Sequence, residues 1–220
     1  MFRTKICGIT TVEDARAMTE AGVDAVGLNF YDQSPRFVDT DTAEAIIAAL
    51  PSEIVKVGLF VDSPLNFVCD THEKLGLDAI QLHGSEKPEY MARLGKLPLI
   101  RAFRVAAGDL YSMTDYLLEC RKLGAVPRMA IADALVPGVH GGTGSLADWE
   151  TLRDYPNQPW HPPLVLAGGL SPQNVGDAIR AVRPAAVDTA SGVESSPGRK
   201  NASKSKAFVR AALAAFAELK

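Results

Sequence analysis

The sequence predicts an α/β protein, a single (β/α)8 TIM barrel that spans residues 1–220. Three observations predict this fold class: short apolar runs alternate with segments of helical periodicity, eight such units follow one another, and 47% of the 220 residues are hydrophobic. A chain of this length can bury one substantial core, and strand-then-helix alternation is typical of a parallel sheet covered by helices. A doubly wound open sheet remains an alternative, because periodicity alone does not show whether a sheet closes.

The eight predicted strands are continuous apolar runs, as expected for parallel strands that are covered on both faces. They are Thr4–Cys7, Ala25–Phe30, Lys56–Val61, Ala79–His83, Leu97–Phe103, Met129–Asp133, Leu164–Gly168 and Ala185–Asp188. Each is followed by a segment in which apolar residues have the three- and four-residue spacing of one buried helix face.

The first predicted helix carries signals at both of its ends. Thr11 can cap its N-terminus and Gly22 can end it. Glu13 and Asp14 suit the positive end of the helix dipole. The other predicted helices are Asp41–Leu50, Pro64–Leu75, Lys87–Leu94, Leu110–Leu123, Leu146–Arg153, Pro172–Val182 and Ala202–Leu219.

Composition argues against several classes of protein. With 23 basic and 26 acidic residues, the net charge of −3 does not favour broad binding to nucleic acid or to an anionic membrane. No apolar run approaches the ~18 residues that span a bilayer, and no secretory signal is evident at the N-terminus. Three cysteines without CxxC spacing argue against a disulfide framework. We therefore expect a soluble cytoplasmic protein that acts on a small molecule. The basic segment Ser195–Lys206 is interpreted as a solvated loop, with nucleic-acid binding as the alternative.

In a barrel of this type the active site lies at the C-terminal ends of the strands. The predicted strands end near Cys7, Asn29, Asp62, His83, Arg101, Asp133, Gly168 and Asp188. This set combines a thiol, an imidazole, carboxylates and glycine, which loop solubility alone does not readily explain.

Cys7 and Asp133 are the candidate reactive groups. Strand alternation places Lys5 on the same face as Cys7, and a nearby ammonium would lower the pKa of the thiol. An inert packing role for Cys7 remains open, whereas Cys69 and Cys120 are interpreted as core residues. Asp133 is either a general acid facing a ligand or a carboxylate that caps the following loop.

Two glycine-bearing turns indicate a phosphate site. Ala167–Pro172 and Asp188–Glu194 follow the seventh and eighth predicted strands, where barrels have a recurrent phosphate site. Glycines let the backbone approach an anion. The glycine-rich stretch Gly138–Gly144 is interpreted as a mobile lid, or as an ordinary flexible loop. The four histidines show no metal-ligand spacing, so no metal site is predicted.

A set of motifs runs in order through nearly the whole chain. The motifs are Lys5–Thr10, Gly27–Phe30, Ser34–Val38, Gly58–Val61, Gln81–Gly84 with Glu86, Gly141–Gly144, Asp148–Trp149, Leu166–Leu170, Asp188 and Ser191–Glu194. In this ordered set the chain resembles one family, phosphoribosylanthranilate isomerase of tryptophan biosynthesis. The resemblance implies a (β/α)8 barrel and no metal or organic cofactor. It further implies a phosphosugar substrate. We expect a monomer or a homodimer, and the sequence leaves this choice open.

The implied reaction converts N-(5-phosphoribosyl)anthranilate into 1-(2-carboxyphenylamino)-1-deoxyribulose 5-phosphate by an Amadori rearrangement, an aldose–ketose isomerisation. The resemblance makes Asp133 the general acid and Cys7 the general base, and places Arg36 against the anthranilate carboxylate. The predicted substrate-binding residues are Arg36, His83, Gly168, Gly169, Leu170, Asp188, Ser191 and Gly192. The sequence departs from the family's Val-Ser at Thr189 and Ala190, where side-chain contacts of the phosphate loop could differ.

Three other interpretations remain open. A different phosphosugar barrel, such as a ribulose-phosphate epimerase, would share the phosphate turns but would use paired acidic residues and usually metal-binding histidines. A noncatalytic phosphosugar-binding protein would need the turns but neither Cys7 nor Asp133. An isomerase that also serves histidine biosynthesis would use a pair of aspartates.

Overall fold

Eight parallel strands close into a barrel in a computed structural model of the protein, which describes residues 2–134, 148–155 and 158–219. In chain order the strands are β1 (Thr4–Cys7), β2 (Ala25–Asn29), β3 (Val55–Phe60), β4 (Ala79–Leu82), β5 (Leu99–Val105), β6 (Met129–Ala134), β7 (Leu164–Leu166) and β8 (Ala186–Thr189). The first and last strands pair in parallel, with Lys5 opposite Asp188. This closure confirms the predicted (β/α)8 barrel and excludes the open sheet.

Within the described ranges, one α-helix follows each of the eight strands. They are α1 (Val12–Ala21), α2 (Thr40–Ala48), α3 (Leu65–Leu75), α4 (Pro88–Leu94), α5 (Tyr111–Lys122), α6 (Trp149–Arg153), α7 (Val175–Val182) and α8 (Ala202–Glu218). In α1 the predicted signals are used, because the Thr11 side chain accepts a hydrogen bond from Asp14 N and Gly22 adopts a left-handed conformation. Among the helices that the structure describes, none is long and apolar enough to cross a membrane.

Several predicted boundaries shift for local reasons. Strand β5 begins at Leu99 rather than Leu97, because Pro98 has no N–H to donate to the ladder. Helix α7 begins at Val175 rather than Pro172, because the Asn174 side chain accepts a hydrogen bond from Ser171 N and residues 172–174 form a turn. Helix α6 is confirmed from Trp149 onward, and the predicted start at 146 lies outside the described residues.

The barrel separates two apolar layers. Residues such as Val57, Ile100 and Val165 pack inside it, together with Phe2 from the segment before β1. Strand residues of opposite parity, such as Leu28 and Ile80, pack outward against helix residues such as Phe208 of α8. Toward the C-terminal ends of the strands the inward positions become polar. They include Lys5, Gln81 and Asp188, all buried. The fold therefore places a polar floor beneath the end of the barrel where the sequence predicts the active site.

The segment that follows β8 differs from its prediction. A 3-10 turn (Ser191–Val193) leads into an antiparallel hairpin of β9 (Glu194–Ser196) and β10 (Arg199–Lys200). Ser195 and Arg199 are exposed, as a solvated loop requires, but Lys200 is buried. The interpretation of Ser195–Lys206 as a solvated loop is wrong at Lys200, because the hairpin turns this side chain inward.

Candidate active site

A cavity at the C-terminal ends of the strands gathers most of the predicted site residues. Those that line it are Cys7, Arg36, His83, Asp133, Gly168, Gly169, Asp188 and Ser191. Leu170 and Gly192, also predicted to bind substrate, are not among the described residues that line it. The cavity is also lined by Asn29, which the sequence predicts at a strand end, and by Ala167, Thr189 and Ala190 of the two glycine-bearing turns. The sequence predicted no role for the other lining residues, namely Tyr31, Ser34, Leu59, Val61 and Gln81.

The Cys7 thiol is buried at the end of β1. It lies against β2, where a Cβ atom at Gly27 would come within 2.5 Å of Cys7 Sγ, so any side chain at that position would displace the thiol. Burial raises the pKa of the Cys7 thiol, and this outweighs the ammonium groups of Lys5 and Lys200, which lower it. Lys5 thus acts in the expected direction, but the expectation of a lowered thiol pKa is wrong, because the cost of burying a thiolate is larger.

Lys5 and Asp188 form a buried ion pair beneath the thiol. Lys5 Nζ donates to Asp188 Oδ2 at 2.9 Å, and the side chain of Lys5 is fully buried. Burial lowers the pKa of Lys5, but Asp188 and Cys7 together raise it more, so the ammonium is retained. Asp188 Oδ1 has no hydrogen-bond partner among the residues that the structure describes. This oxygen is therefore available to a polar group of a ligand.

His83 links the fourth strand to the sixth. Its Nε2 atom lies 3.6 Å from Asp133 Oδ2, and Gln81 Nε2 lies 3.1 Å from its Nδ1 atom. Within the described parts of the chain, Gln81 Oε1 and His83 Nε2 are buried without a hydrogen-bond partner. Together with the unpartnered oxygen of Asp188, these atoms indicate a cavity that is built to receive a polar molecule.

Arg36 belongs to a buried ionic network. Its Nε and Nη2 atoms donate to Glu194 Oε1 and Oε2 at 2.8 and 2.7 Å, the bidentate geometry that suits a guanidinium. Lys200 Nζ donates to Glu194 Oε1 at 2.7 Å and to Ala190 O at 3.1 Å. Burial raises the pKa of the Glu194 carboxyl, but Arg36 and Lys200 lower it by a larger amount. The pKa of Glu194 is therefore below its usual value. The sequence placed Glu194 in a predicted phosphate turn and Lys200 in a predicted solvated loop, but it did not predict that they pair with each other or with Arg36.

The two glycine-bearing turns lie against each other at one side of the cavity. Gly168 and Gly169 adopt left-handed conformations with φ of 81° and 64°, which favour glycine. Thr189 Oγ1 donates to Leu170 O at 2.7 Å, and a Cβ atom at Gly192 would lie 1.9 Å from the same oxygen. Leu170 and Gly192 therefore join the two turns. The first turn does not open directly into a helix as expected, because α7 begins only at Val175.

Two predicted strand-end residues lie outside the cavity. Arg101 Nη1 donates to Glu86 Oε2 at 3.1 Å and Arg101 Nη2 to Gly84 O at 3.0 Å, so its charge is used within the loop that follows β4. Asp62 accepts a hydrogen bond from Ser85 N at 2.6 Å in the same region. Both residues stabilise neighbouring loops instead of facing a ligand.

Asn29, a predicted strand-end residue, does line the cavity, whereas Gln81 is a cavity residue that a local signal could have identified. Asn29 ends β2, and its amide donates to Ser34 Oγ at 3.0 Å in the loop that carries Arg36. Gln81 lies two residues before His83 and so on the same strand face.

The predicted lid, Gly138–Gly144, lies outside the described residues. Across the described ranges, no group of three or more His, Cys, Asp or Glu side chains could hold a metal ion.

Comparison with known proteins identifies the family. The model of the family described as N-(5'phosphoribosyl)anthranilate (PRA) isomerase matches residues 4–211. The N-(5'-phosphoribosyl)anthranilate isomerase of Geobacter sp. (strain M21) is 44% identical over 210 residues, which are 95% of this chain and 97% of the relative. That of Pseudomonas putida (strain KT2440) is 46% identical over 209 residues, 95% of this chain and 96% of the relative.

Solved structures agree with the sequence comparisons. The crystal structure of phosphoribosyl anthranilate isomerase from Thermotoga maritima superposes with a TM-score of 0.84 at 35% identity, over 97% of this chain and 100% of that one. A phosphoribosyl anthranilate isomerase in complex with reduced 1-(o-carboxyphenylamino)-1-deoxyribulose 5-phosphate has a TM-score of 0.80 at 34% identity, with the same coverage. The chain described here therefore belongs to the N-(5'-phosphoribosyl)anthranilate isomerase family.

Proposed function

We propose that the protein isomerises N-(5-phosphoribosyl)anthranilate to 1-(2-carboxyphenylamino)-1-deoxyribulose 5-phosphate, a step of L-tryptophan biosynthesis. The observation that carries the proposal is one cavity lined by a thiol, a carboxylate, an arginine and two glycine-bearing turns. The relative that binds the reduced product analogue supports the same substrate class. The reaction is an intramolecular oxidation–reduction in which an aldose derivative becomes a ketose.

The proposed acid is Asp133 and the proposed base is Cys7. Asp133 protonates the furanose ring oxygen, and the ring opens to a Schiff base. Cys7 then removes the C2′ proton, which gives an enolamine that tautomerises to the ketone. The raised pKa of the Cys7 thiol makes its thiolate a stronger base, while the ammonium groups of Lys5 and Lys200 favour formation of that thiolate.

Separate parts of the cavity hold the two anionic ends of the substrate in this proposal. Arg36 receives the anthranilate carboxylate through Nη1, the nitrogen that its pair with Glu194 does not use. The backbone of the two turns, around Gly168, Gly169, Leu170, Ser191 and Gly192, receives the phosphate. His83 Nε2 and Asp188 Oδ1 bond the ribose hydroxyls, which would satisfy two buried atoms that have no partner among the described residues.

The chemistry so proposed uses protein side chains alone, and we propose no metal or organic cofactor. We also propose that residues 1–220 act as one catalytic domain in the cytoplasm, on a phosphosugar and not on nucleic acid. A monomer or a homodimer is proposed for the assembly. The existence of a dimeric phosphoribosylanthranilate isomerase in Thermotoga maritima supports the second of these.

The test is a fluorescence assay for consumption of phosphoribosylanthranilate by the wild type, Cys7→Ser and Asp133→Asn. Because acid or base catalysis is typically worth about 10²–10⁴-fold, each variant should lose that much kcat. Affinity for the reduced product analogue should fall far less, since the carboxylate and phosphate contacts remain.

Two outcomes would contradict the proposal. A wild-type protein that binds the analogue but does not consume the substrate would be a noncatalytic phosphosugar-binding protein. Near-normal kcat in the Cys7→Ser or Asp133→Asn variant would remove that residue from the proposed acid–base pair.

A further inference from the structure

We infer that Glu194 is a positioning residue that holds both anion-binding ends of the cavity at once, through Arg36 and Lys200. The inference rests on the proposed function and deepens it, because it explains how one site keeps a carboxylate receptor and a phosphate receptor at a fixed separation.

Arg36 is held at one end. Glu194 accepts from its Nε and Nη2 atoms at 2.8 and 2.7 Å, so rotation of the guanidinium would break two charge-assisted bonds. A Cβ atom at Gly8 would lie 2.4 Å from Arg36 Cδ, which shows how closely the stem of the arginine packs on the loop after β1. Its backbone N–H donates to Ser34 Oγ at 3.1 Å. The remaining nitrogen, Nη1, therefore has a defined direction.

Lys200 connects the same carboxylate to the other end. Glu194 Oε1, the oxygen that accepts from Arg36 Nε, also accepts from Lys200 Nζ at 2.7 Å. Lys200 Nζ donates in addition to Ala190 O at 3.1 Å, and its side chain is fully buried. Ala190 and Ser191 belong to the second glycine-bearing turn and line the cavity. One carboxylate oxygen thus joins the arginine to the proposed phosphate turn.

The net charge of the cluster distinguishes a positioning role of Glu194 from simple charge compensation. Burial lowers the pKa of Lys200, and the carboxylate of Glu194 opposes that shift. With Lys200 protonated, the cluster contains two cations and one carboxylate and carries one net positive charge, which suits an anionic ligand. If Glu194 acted only as a counter-charge, its neutralisation would raise that net charge and would tighten anion binding. If Glu194 positions its two partners, neutralisation loosens both ends and weakens anion binding. The two roles therefore predict effects of opposite sign.

The experiment compares Glu194→Gln and Lys200→Met with Lys204→Met as a matched control. Lys204 Nζ donates to the main-chain oxygen of Glu194 at 2.9 Å, so it contacts the same residue but not its carboxylate. KM and kcat are measured with phosphoribosylanthranilate, and calorimetry gives dissociation constants for anthranilate and for inorganic phosphate. Amide hydrogen exchange of residues 30–38 and 188–193 is followed without ligand.

In Glu194→Gln we expect KM to rise by about tenfold or more and kcat to stay within about threefold. Both probes should bind more weakly, and both segments should exchange faster. Lys200→Met should weaken the binding of inorganic phosphate more than the binding of anthranilate, and it should speed amide hydrogen exchange in residues 188–193. Lys204→Met should match the wild type in every measurement.

Tighter or unchanged binding of the two probes by Glu194→Gln, or exchange that changes in neither segment, would overturn the inference. If circular dichroism shows that the Glu194→Gln variant does not fold, the Lys200→Met variant provides the test. Unchanged phosphate binding together with unchanged hydrogen exchange in residues 188–193 of that variant would overturn the inference. A wild type that fails to consume phosphoribosylanthranilate would defeat the proposed function alone, because the exchange measurements test the positioning role without substrate.

Discussion

Replacing Gly192 with alanine tests whether the two glycine-bearing turns depend on their close contact. The added methyl group would lie 1.9 Å from Leu170 O and 2.9 Å from Thr189 Oγ1. A Cβ atom essentially never approaches another heavy atom closer than 3.0 Å, so the methyl and the carbonyl oxygen must separate by about 1.1 Å, the difference between 3.0 and 1.9 Å. Because the obstructing atom belongs to the backbone, the turn itself has to move.

The magnitude follows from that displacement. Overpacking of this kind costs about 1–3 kcal/mol of stability, and loss of the Thr189–Leu170 hydrogen bond would add about 1 kcal/mol. A shift of about 1 Å in a substrate-positioning element can cost about 10²-fold in rate. We therefore expect Gly192→Ala to lower the melting temperature and to reduce kcat/KM by about that factor.

The assay is steady-state turnover together with thermal unfolding, with Gly176→Ala as the control. A Cβ atom at Gly176 would meet only the end of the exposed Arg180 side chain, at 3.2 Å. Alanine is favoured over glycine by roughly 0.5–1 kcal/mol in a helix such as α7, so this control should melt at the same or a higher temperature with unchanged KM. A Gly192→Ala enzyme with normal melting temperature and normal KM would refute the proposed coupling of the turns.

Three further predictions concern charge and metal. Arg36→Met should weaken substrate binding by about 1.5–3 kcal/mol and should also lower the melting temperature, because Glu194 loses its bidentate partner; unchanged KM would remove Arg36 from the binding site. The pKa of Glu194 is depressed in the folded protein from its usual 4.5, so its stabilising contribution is complete well above pH 4.5 and is lost as the pH falls through the lower folded pKa. Denaturant titrations between about pH 6 and pH 3 should therefore show a shallower loss of stability in Glu194→Gln than in the wild type, and equal slopes would contradict this role. Exhaustive chelation should leave isomerase activity intact, whereas loss of activity that a divalent ion restores would contradict the cofactor-free mechanism.

Local patterns predicted the barrel well, because each strand and helix carries its own signal. The eight apolar runs are the eight strands, and positions such as Cys7 and Asp133 at their ends do face the cavity. The positions of these residues could be predicted because parallel strands in a closed barrel bring all their C-terminal ends to one rim. The start of α7 was misplaced because the turn at Asn174 competes with a helix that Pro172 would otherwise begin.

Contacts between distant parts of the chain could not be predicted in this way. Arg36 and Glu194 are 158 residues apart, and the local sequence around either residue does not indicate that they pair. The sign of the shift in the Cys7 pKa was missed for a related reason. It depends on the balance between burial and the charges of Lys5 and Lys200, and sequence alternation shows only that a lysine is near.

The buried pair between Lys5 and Asp188 also bears on how the chain folds. Its members are 183 residues apart and belong to the first and last strands of the barrel. Bringing such distant residues together carries a large loop-closure entropy, and contacts of high sequence separation slow folding. During synthesis the lysine emerges long before its carboxylate, so it must stay hydrated until β8 is complete. We therefore expect strand β1 to be buried only after β8 (Ala186–Thr189) has been made.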